Sequence, residues 1–393
     1  MLLSLALVFL CGMALGKIFE KLRLPSLLGM IMTGIILGPY AFNLLDSTIL
    51  NISTELRQIA LIIILTRAGL NLDVRDLKKV GRPAILMCFV PACFEIAGML
   101  LFAPAFLGIT HLEAAIMGTV VAAVSPAVIV PRMLKLIENG YGTEKSIPQI
   151  IMAGASVDDV FVIVLFTAFT GLAGGGTISP LSFITIPTSI LFGLTGGILM
   201  GVLMSVFFTR AHIRDSSKVI FILSVSFLLV TVEHSLKGVI GFSGLLAVMA
   251  LGATLRQRKY EVSRRLSVKF SKLWVGAEVL LFVLVGATVN ISYAIHAGLM
   301  AIALIFCVLA FRILGVFVCL VRTPLNKNER IFTAIAYIPK ATVQAAIGGL
   351  PLSMGLACGN IVLTVAVLSI LITAPLGAAL VDMTYKKLLS KSS

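Results

Sequence analysis

Apolar stretches of about twenty residues, the length that crosses a bilayer, recur along the whole chain. Thirteen of them are legible: 2–20, 26–43, 54–71, 83–107, 112–135, 147–173, 181–209, 217–235, 240–256, 270–290, 292–321, 329–353 and 359–385. That recurrence excludes a soluble fold. With 12% charged and 59% hydrophobic residues, and a mean hydropathy of +1.10, 393 residues cannot build the charged shell a soluble protein needs. A disordered chain is excluded for the same reason. The expected class is an all-α polytopic membrane protein of about thirteen transmembrane helices. The stretch 2–16 has no basic leading segment and no cleavage site, so it reads as the first span and not as a removable signal. No soluble domain or long linker is expected, so the chemistry must lie within the membrane.

The net charge of +14 is placed by position. Connections after odd-numbered spans, counted together with the span ends that flank them, hold 26 of the 31 Lys and Arg residues, and those after even-numbered spans hold Arg57 and Lys237. Arg67, Arg312 and Lys340 lie inside spans. By the positive-inside rule the N-terminus is outside, the C-terminus cytoplasmic and the setting a plasma (inner) membrane. No basic run is interleaved with aromatics, so nucleic acid is not an expected partner. The six cysteines have neither CxxC nor Cys/His spacing, which argues against a zinc site or a disulfide framework. No cofactor is implied.

Ionisable residues inside spans are expensive and mark function. They are Glu95, Asp158, Asp159, Glu233, Glu278, Arg312 and Lys340. Glu233, near a span end beside His234 and Lys237, reads as interfacial. Glu278 is deeper, and nothing in the sequence names its partner. Asp158 and Asp159 are the strongest signal. Neighbours on a helix point about 100° apart, so they do not face each other as an acid dyad. They offer oxygens around one helix edge, where a desolvated Na⁺ or Li⁺ is at home. Burial and a neighbouring negative charge both favour the protonated form of a carboxyl group. A site of that kind trades a proton for a cation.

Two spans carry a central proline: Ser125-Pro126 in the fifth and Pro339-Lys340 in the twelfth. Either each is a plain kink, or both helices are discontinuous, as transporters use to expose backbone to substrate. Lys340 would then offset the negative end of a half-helix. Spacing supports an inverted repeat. Glu95 precedes Ser125 by 30 residues, and Arg312 precedes Lys340 by 28. Ser125 precedes Asp158 by 33, and the same step from Lys340 lands on Thr373. Residues 1–173 (spans one to six) thus map onto 217–385 (spans eight to thirteen) with opposite topology, and 181–209 is the connector span. Glu95 and Arg312 fall at equivalent positions, which suggests a buried ion pair; Arg67 is the rival partner for Glu95. Ser125 and Thr342 are candidate site-lining oxygens.

GASVDDV (154–160), VSPAVIVPRML (124–134), LTRAGLNLD (65–73) and IPKATVQAA (338–346) resemble the cation:proton antiporter-2 family, and most nearly its NHA-type sodium/proton antiporters. The resemblance runs the length of the chain. It implies a thirteen-helix fold with two crossing broken helices around Ser125 and Lys340, a dimerisation domain and a mobile ion-carrying domain, elevator-like alternating access and a homodimer. It also implies that Asp159 is the main cation and proton carrier, with Asp158 in support. Electrogenic members usually carry a Lys in the helix before the second broken one; here that place holds Arg312. The paired Asp and the Arg thus point to opposite stoichiometries. With no nucleotide-binding domain expected after span thirteen, the potassium-efflux branch is disfavoured.

The expected function is exchange of Na⁺ or Li⁺ for H⁺. The alternatives are K⁺/H⁺ exchange, sodium-coupled symport of an organic anion (for which Lys340 and Gln344 are the only groups at hand) and a channel. An intramembrane aspartyl protease needs two facing Asp from different helices and is disfavoured, so the chain does not read as an enzyme.

Overall fold

A computed structural model describes residues 1–22, 24–72, 81–173, 185–211, 213–236 and 241–391. Among these residues the regular structure is helical. In chain order the helices are α1 (Leu2–Lys21), α2 (Ser26–Leu37), α3 (Ser47–Asn51), α4 (Ser53–Asn71), α5 (Arg82–Met87), α6 (Val90–Leu107), α7 (His111–Ala122), α8 (Pro126–Glu138) and α9 (Ile147–Ala173). They continue with α10 (Thr185–Arg210), α11 (Asp215–Leu236), α12 (Gly244–Arg258), α13 (Tyr260–Ala287), α14 (Ile291–Cys319), α15 (Lys327–Ala336), α16 (Thr342–Ile347), α17 (Leu350–Ser353) and α18 (Gly359–Leu388). Every apolar segment of the sequence falls on one of these helices or on a run of short ones. Nine helical stretches among the described residues are long and apolar enough to cross a membrane. Asp73 of the LTRAGLNLD motif, the basic residues Arg23, Arg75, Lys78, Lys79 and Lys237, and positions 181–184 of the seventh span lie outside the described residues.

Helices dominate because a backbone in lipid must satisfy its own polar groups. Hydroxyls follow the same rule. Thr33, Thr66, Thr170, Thr254 and Thr373 each donate to the carbonyl four residues back, at 2.7–2.8 Å.

Packing divides the chain into two compact units: Met1–Thr54, Arg75–Val162 and Leu281–Ser393, and Glu55–Val74 with Ile163–Leu280. In the first, α6 lies along α14 and against α7, α1 lies along α2, and α18 packs on α14 and α15. Gly34 of α2 abuts the Val283 carbonyl so closely that any Cβ would collide with it. In the second unit α12 packs on α10 and α11. Gly197 lets α10 meet the Ala247 carbonyl directly. Glu233 accepts from the Gly244 amide at 2.9 Å and so closes the start of α12. Arg67 of α4 lies in the field of Glu278 of α13.

Three spans differ from the sequence expectation. The second span stops at Leu37, where Gly38-Pro39 ends the helix, and not at 43. The tenth begins at Tyr260 and not at 270. The basic stretch before 270 lowers hydropathy but contains no helix breaker, so the helix continues through it. The fourth is broken at Cys88–Phe89, just before Pro91. The twelfth is discontinuous at Pro339, as one of the two expected readings had it, and is broken again at Gly348–Gly349.

Candidate ion site at the crossing of two broken helices

Both prolines interrupt their helices, and neither is a mere kink. Ala123 and Ser125 are extended between α7 and α8. Residues 337–341 are non-helical between α15 and α16. The two interrupted segments are joined, the Ser125 amide donating to the Pro339 carbonyl at 2.8 Å. Each broken helix starts with a reciprocal cap, Thr110 with Glu113 on α7 and Asn326 with Glu329 on α15. Glu329 also pairs with Lys145 at 2.9 Å.

A break in a helix leaves carbonyls unpartnered and a partial negative charge at the C-terminal end. Arg312 of α14, wholly buried, answers both ends. Its Nε donates to the Tyr337 carbonyl at 2.8 Å, and its Nη1 to the Ala122 carbonyl. The capping task expected of Lys340 thus falls to Arg312, because the longer, forked guanidinium reaches two ends where an ammonium serves one. Arg312 also lies over the Tyr337 ring at 5.4 Å.

The same guanidinium carries two ion pairs, Nη1 to Glu95 Oε2 at 2.8 Å and Nη2 to Asp158 Oδ2 at 2.9 Å. Glu95 therefore meets Arg312 and not Arg67. Lys340 Nζ meets Glu95 Oε2 at 2.5 Å. All four residues are at most 1% exposed. Two bases and two acids close on one another, and the set is electrically balanced.

Asp158 Oδ2 takes a second donor, the Val124 amide, at 2.8 Å. The Lys340 amide in turn donates to Thr373 Oγ1 at 3.0 Å. Gln344 Nε2 donates to the carbonyls of Val121 at 3.0 Å and Ala123 at 2.8 Å. Thr342 is buried as the first residue of α16. Asp159, half-buried, stands outside the balanced set. Its Oδ1 is closed off from solvent without a hydrogen-bond partner, as are Asp158 Oδ1, Ser125 Oγ and Gln344 Oε1.

The chain matches the family model described as sodium/hydrogen exchanger, transmembrane, over residues 5–386. It belongs to that family. The human sodium/hydrogen exchanger 9B2 is 33% identical over 416 residues, covering 99% of this chain and 75% of its own. The human sodium/hydrogen exchanger 9B1 is 32% identical over 416 residues, covering 99% and 78%. The sodium proton antiporter MjNhaP1 from Methanocaldococcus jannaschii has the same fold, with a TM-score of 0.83 at 22% identity over 98% of this chain and 97% of that one.

Of the residues singled out in the sequence of this exchanger-family member, the structure joins Glu95, Asp158, Arg312 and Lys340 in one network, with Ser125 on the first interrupted segment and Thr342 at the start of the helix that follows the second. Tyr337 is not among the residues the sequence singles out, Gln344 is there only as an anion ligand, and Thr373 only as a mark of repeat register. A glutamine amid the apolar run after Pro339 is a legible signal. The backbone carbonyls that Arg312 holds leave no trace in a sequence.

Proposed function

We propose that this protein is a secondary-active antiporter exchanging Na⁺ or Li⁺ for H⁺ by alternating access, with Asp159 as the carboxylate for which cation and proton compete. The observation that carries this reading is the charge balance of the crossing. Arg312, Lys340, Glu95 and Asp158 neutralise one another. Asp159 is left over, with an unpartnered oxygen in the interior. An uncompensated carboxylate there is neutral when it holds a proton or is neutralised by a bound cation. One group that alternates between these two states is an exchange site. Asp158 completes the site through its free Oδ1, and Ser125 and Thr342 line it. The names of the relatives support sodium as the cation.

The inverted repeat, 1–173 onto 217–385, belongs to the same proposal. Its support is a matched pair of contacts. Val124 N–H goes to a side chain 34 residues on, Asp158, and Lys340 N–H to one 33 residues on, Thr373. The second half thus holds a hydroxyl where the first holds a carboxylate, so at this position the acid lies in one half alone. The lysine and arginine census supports an outside N-terminus, a cytoplasmic C-terminus and a plasma (inner) membrane setting. The homodimer and the elevator motion rest on the family resemblance.

Binding tests the site without transport. A cation that binds only the folded protein raises its melting temperature. NaCl is expected to stabilise the purified wild type relative to choline chloride, and Asp159→Asn to lose that response while keeping its own melting transition. An equal sodium response in the variant would remove Asp159 from the site.

A further inference from the structure

We infer that a cavity where α1, α8 and α18 end binds the phosphate of an acidic phospholipid headgroup. The inference goes beyond the antiport reading and does not rest on it. The cavity holds about 550 Å³, a volume that suits a small ligand. Glu20 and Leu24 close it from α1 and the turn after it, Arg132 and Lys135 from α8, and Asp382 and Tyr385 from α18. The three helices end beside it, at Lys21, Glu138 and Leu388. The lysine and arginine census supports the cytoplasmic side for these ends.

The acids of the cavity are already engaged, and several of its donors are not. Asp382 pairs with Arg132 Nε at 3.3 Å, and Glu20 with Lys17 at 2.7 Å. Arg132 Nη1 donates to the Val128 carbonyl at 2.8 Å, which steadies the guanidinium and leaves Nη2 unspent. Among the described residues Lys135 Nζ has no protein partner. Nor has the Tyr385 hydroxyl, whose ring stands edge-on to Tyr141 at 5.0 Å. A guanidinium, an ammonium and a phenol around one cavity form a donor set for phosphate, the first supplying a planar fork and the second a point charge. Helix C-terminal ends are negative, each by about half a charge. Lys21, Lys135, Lys386 and Lys387, in the last turns of the three helices, outweigh them.

The rim decides between a lipid and a free anion. Leu22, Leu134 and Met383, close in the chain to the lining residues, are 63%, 48% and 73% exposed. Large apolar side chains so exposed beside a basic cavity mark contact with lipid. A headgroup held by the donors keeps its acyl chains along these residues, for which a free phosphate has no use. Basic pockets between spanning helices on the cytoplasmic side take acidic headgroups in this way. Arg132 lies seven residues, about two turns, beyond Ser125 on α8, and Asp382 nine beyond Thr373 on α18. A headgroup held by Arg132, Lys135 and Tyr385 therefore ties together two helices that reach the crossing, and it stabilises the folded protein.

The test titrates phosphatidylglycerol into the purified, detergent-solubilised protein and reads the melting temperature. Phosphatidylcholine and inorganic phosphate are the other two arms. Wild type is compared with Arg132→Gln, Lys135→Gln and the control Lys327→Gln, which removes an exposed base that does not line the cavity. Lys135 has no partner to lose, so its variant keeps the fold even if Arg132→Gln does not. Phosphatidylglycerol is expected to raise the melting temperature of wild type and Lys327→Gln alike. In Lys135→Gln the lipid-to-detergent ratio giving half the rise is expected to grow about fivefold, the value of one basic contact at a membrane surface. An unmoved ratio in Lys135→Gln, or an equal change in Lys327→Gln, would overturn the site. No rise in the wild type, or an equal rise with phosphatidylcholine, would overturn the anion. An equal rise with inorganic phosphate at matched phosphate concentration would overturn the lipid and leave a free anion as the ligand.

Discussion

Arg312 serves two carboxylates and two helix-end carbonyls with a single side chain, so its removal takes a donor from four acceptors at once. Breaking a buried pair by deleting one partner costs about 3–5 kcal/mol. Arg312→Ala and Glu95→Ala are therefore each expected to lower the melting temperature markedly in detergent, and an unchanged transition in either would remove the network from the stability of the fold. Arg312→Lys is expected to recover little, because an ammonium cannot reproduce the fork. The Glu95–Arg312 pair is legible in the sequence, through the 30- and 28-residue steps to the two breaks. The partner of Lys340 is not. It shares the same Glu95 oxygen as Arg312, and no spacing rule announces an acid with two bases.

At the scale of the element, Pro126 and Pro339 make the broken helices legible, while T-x-x-E at 110–113 and N-x-x-E at 326–329 mark where those helices start. The prolines stand out because they fall mid-span; the caps are quieter, because short polar residues at a span edge are common. Thr110→Ala is expected to cost about 1 kcal/mol, the ordinary value of an N-cap. Glu329→Ala is expected to cost more, since it removes the cap and the Lys145 pair together. Denaturant or thermal unfolding of the two variants side by side checks the order. The break between α5 and α6 is less legible, because the deciding Pro91 sits at the start of the second helix, where proline is also at home. At Gly197, a Leu would meet the Ala247 carbonyl and the Ala250 Cβ. Gly197→Leu is expected to cost about 1–3 kcal/mol by overpacking, and a melting temperature equal to the wild type would contradict the close packing of α10 on α12.

At the scale of the whole molecule, charge, composition and proline placement make the class and most of the fold legible, because a bilayer leaves a chain few choices. The division into packed units is not legible, since α9 and α13 each run unbroken through a unit boundary. The 26-to-2 census predicts sidedness: an epitope at the C-terminus should be accessible from the cytoplasm alone, and labelling from outside intact cells would reverse the orientation. If proton and cation compete for one carboxylate, acidification below its titration raises the apparent KM for Na⁺ about tenfold per pH unit. A flat KM across that range would mean separate sites.

The central claim is that Asp159 carries the exchanged ions. Its most direct test is proteoliposomes loaded with a pH-sensitive dye, given NaCl, LiCl, KCl or choline chloride across a preset pH gradient, with Asp159→Asn beside the wild type. The account predicts dequenching by Na⁺ or Li⁺ in the wild type and none in the variant, and clamping the membrane potential then fixes the stoichiometry. A response to K⁺ in place of Na⁺ and Li⁺ would reassign the cation. Wild-type dequenching that survives intact in folded Asp159→Asn would contradict the account.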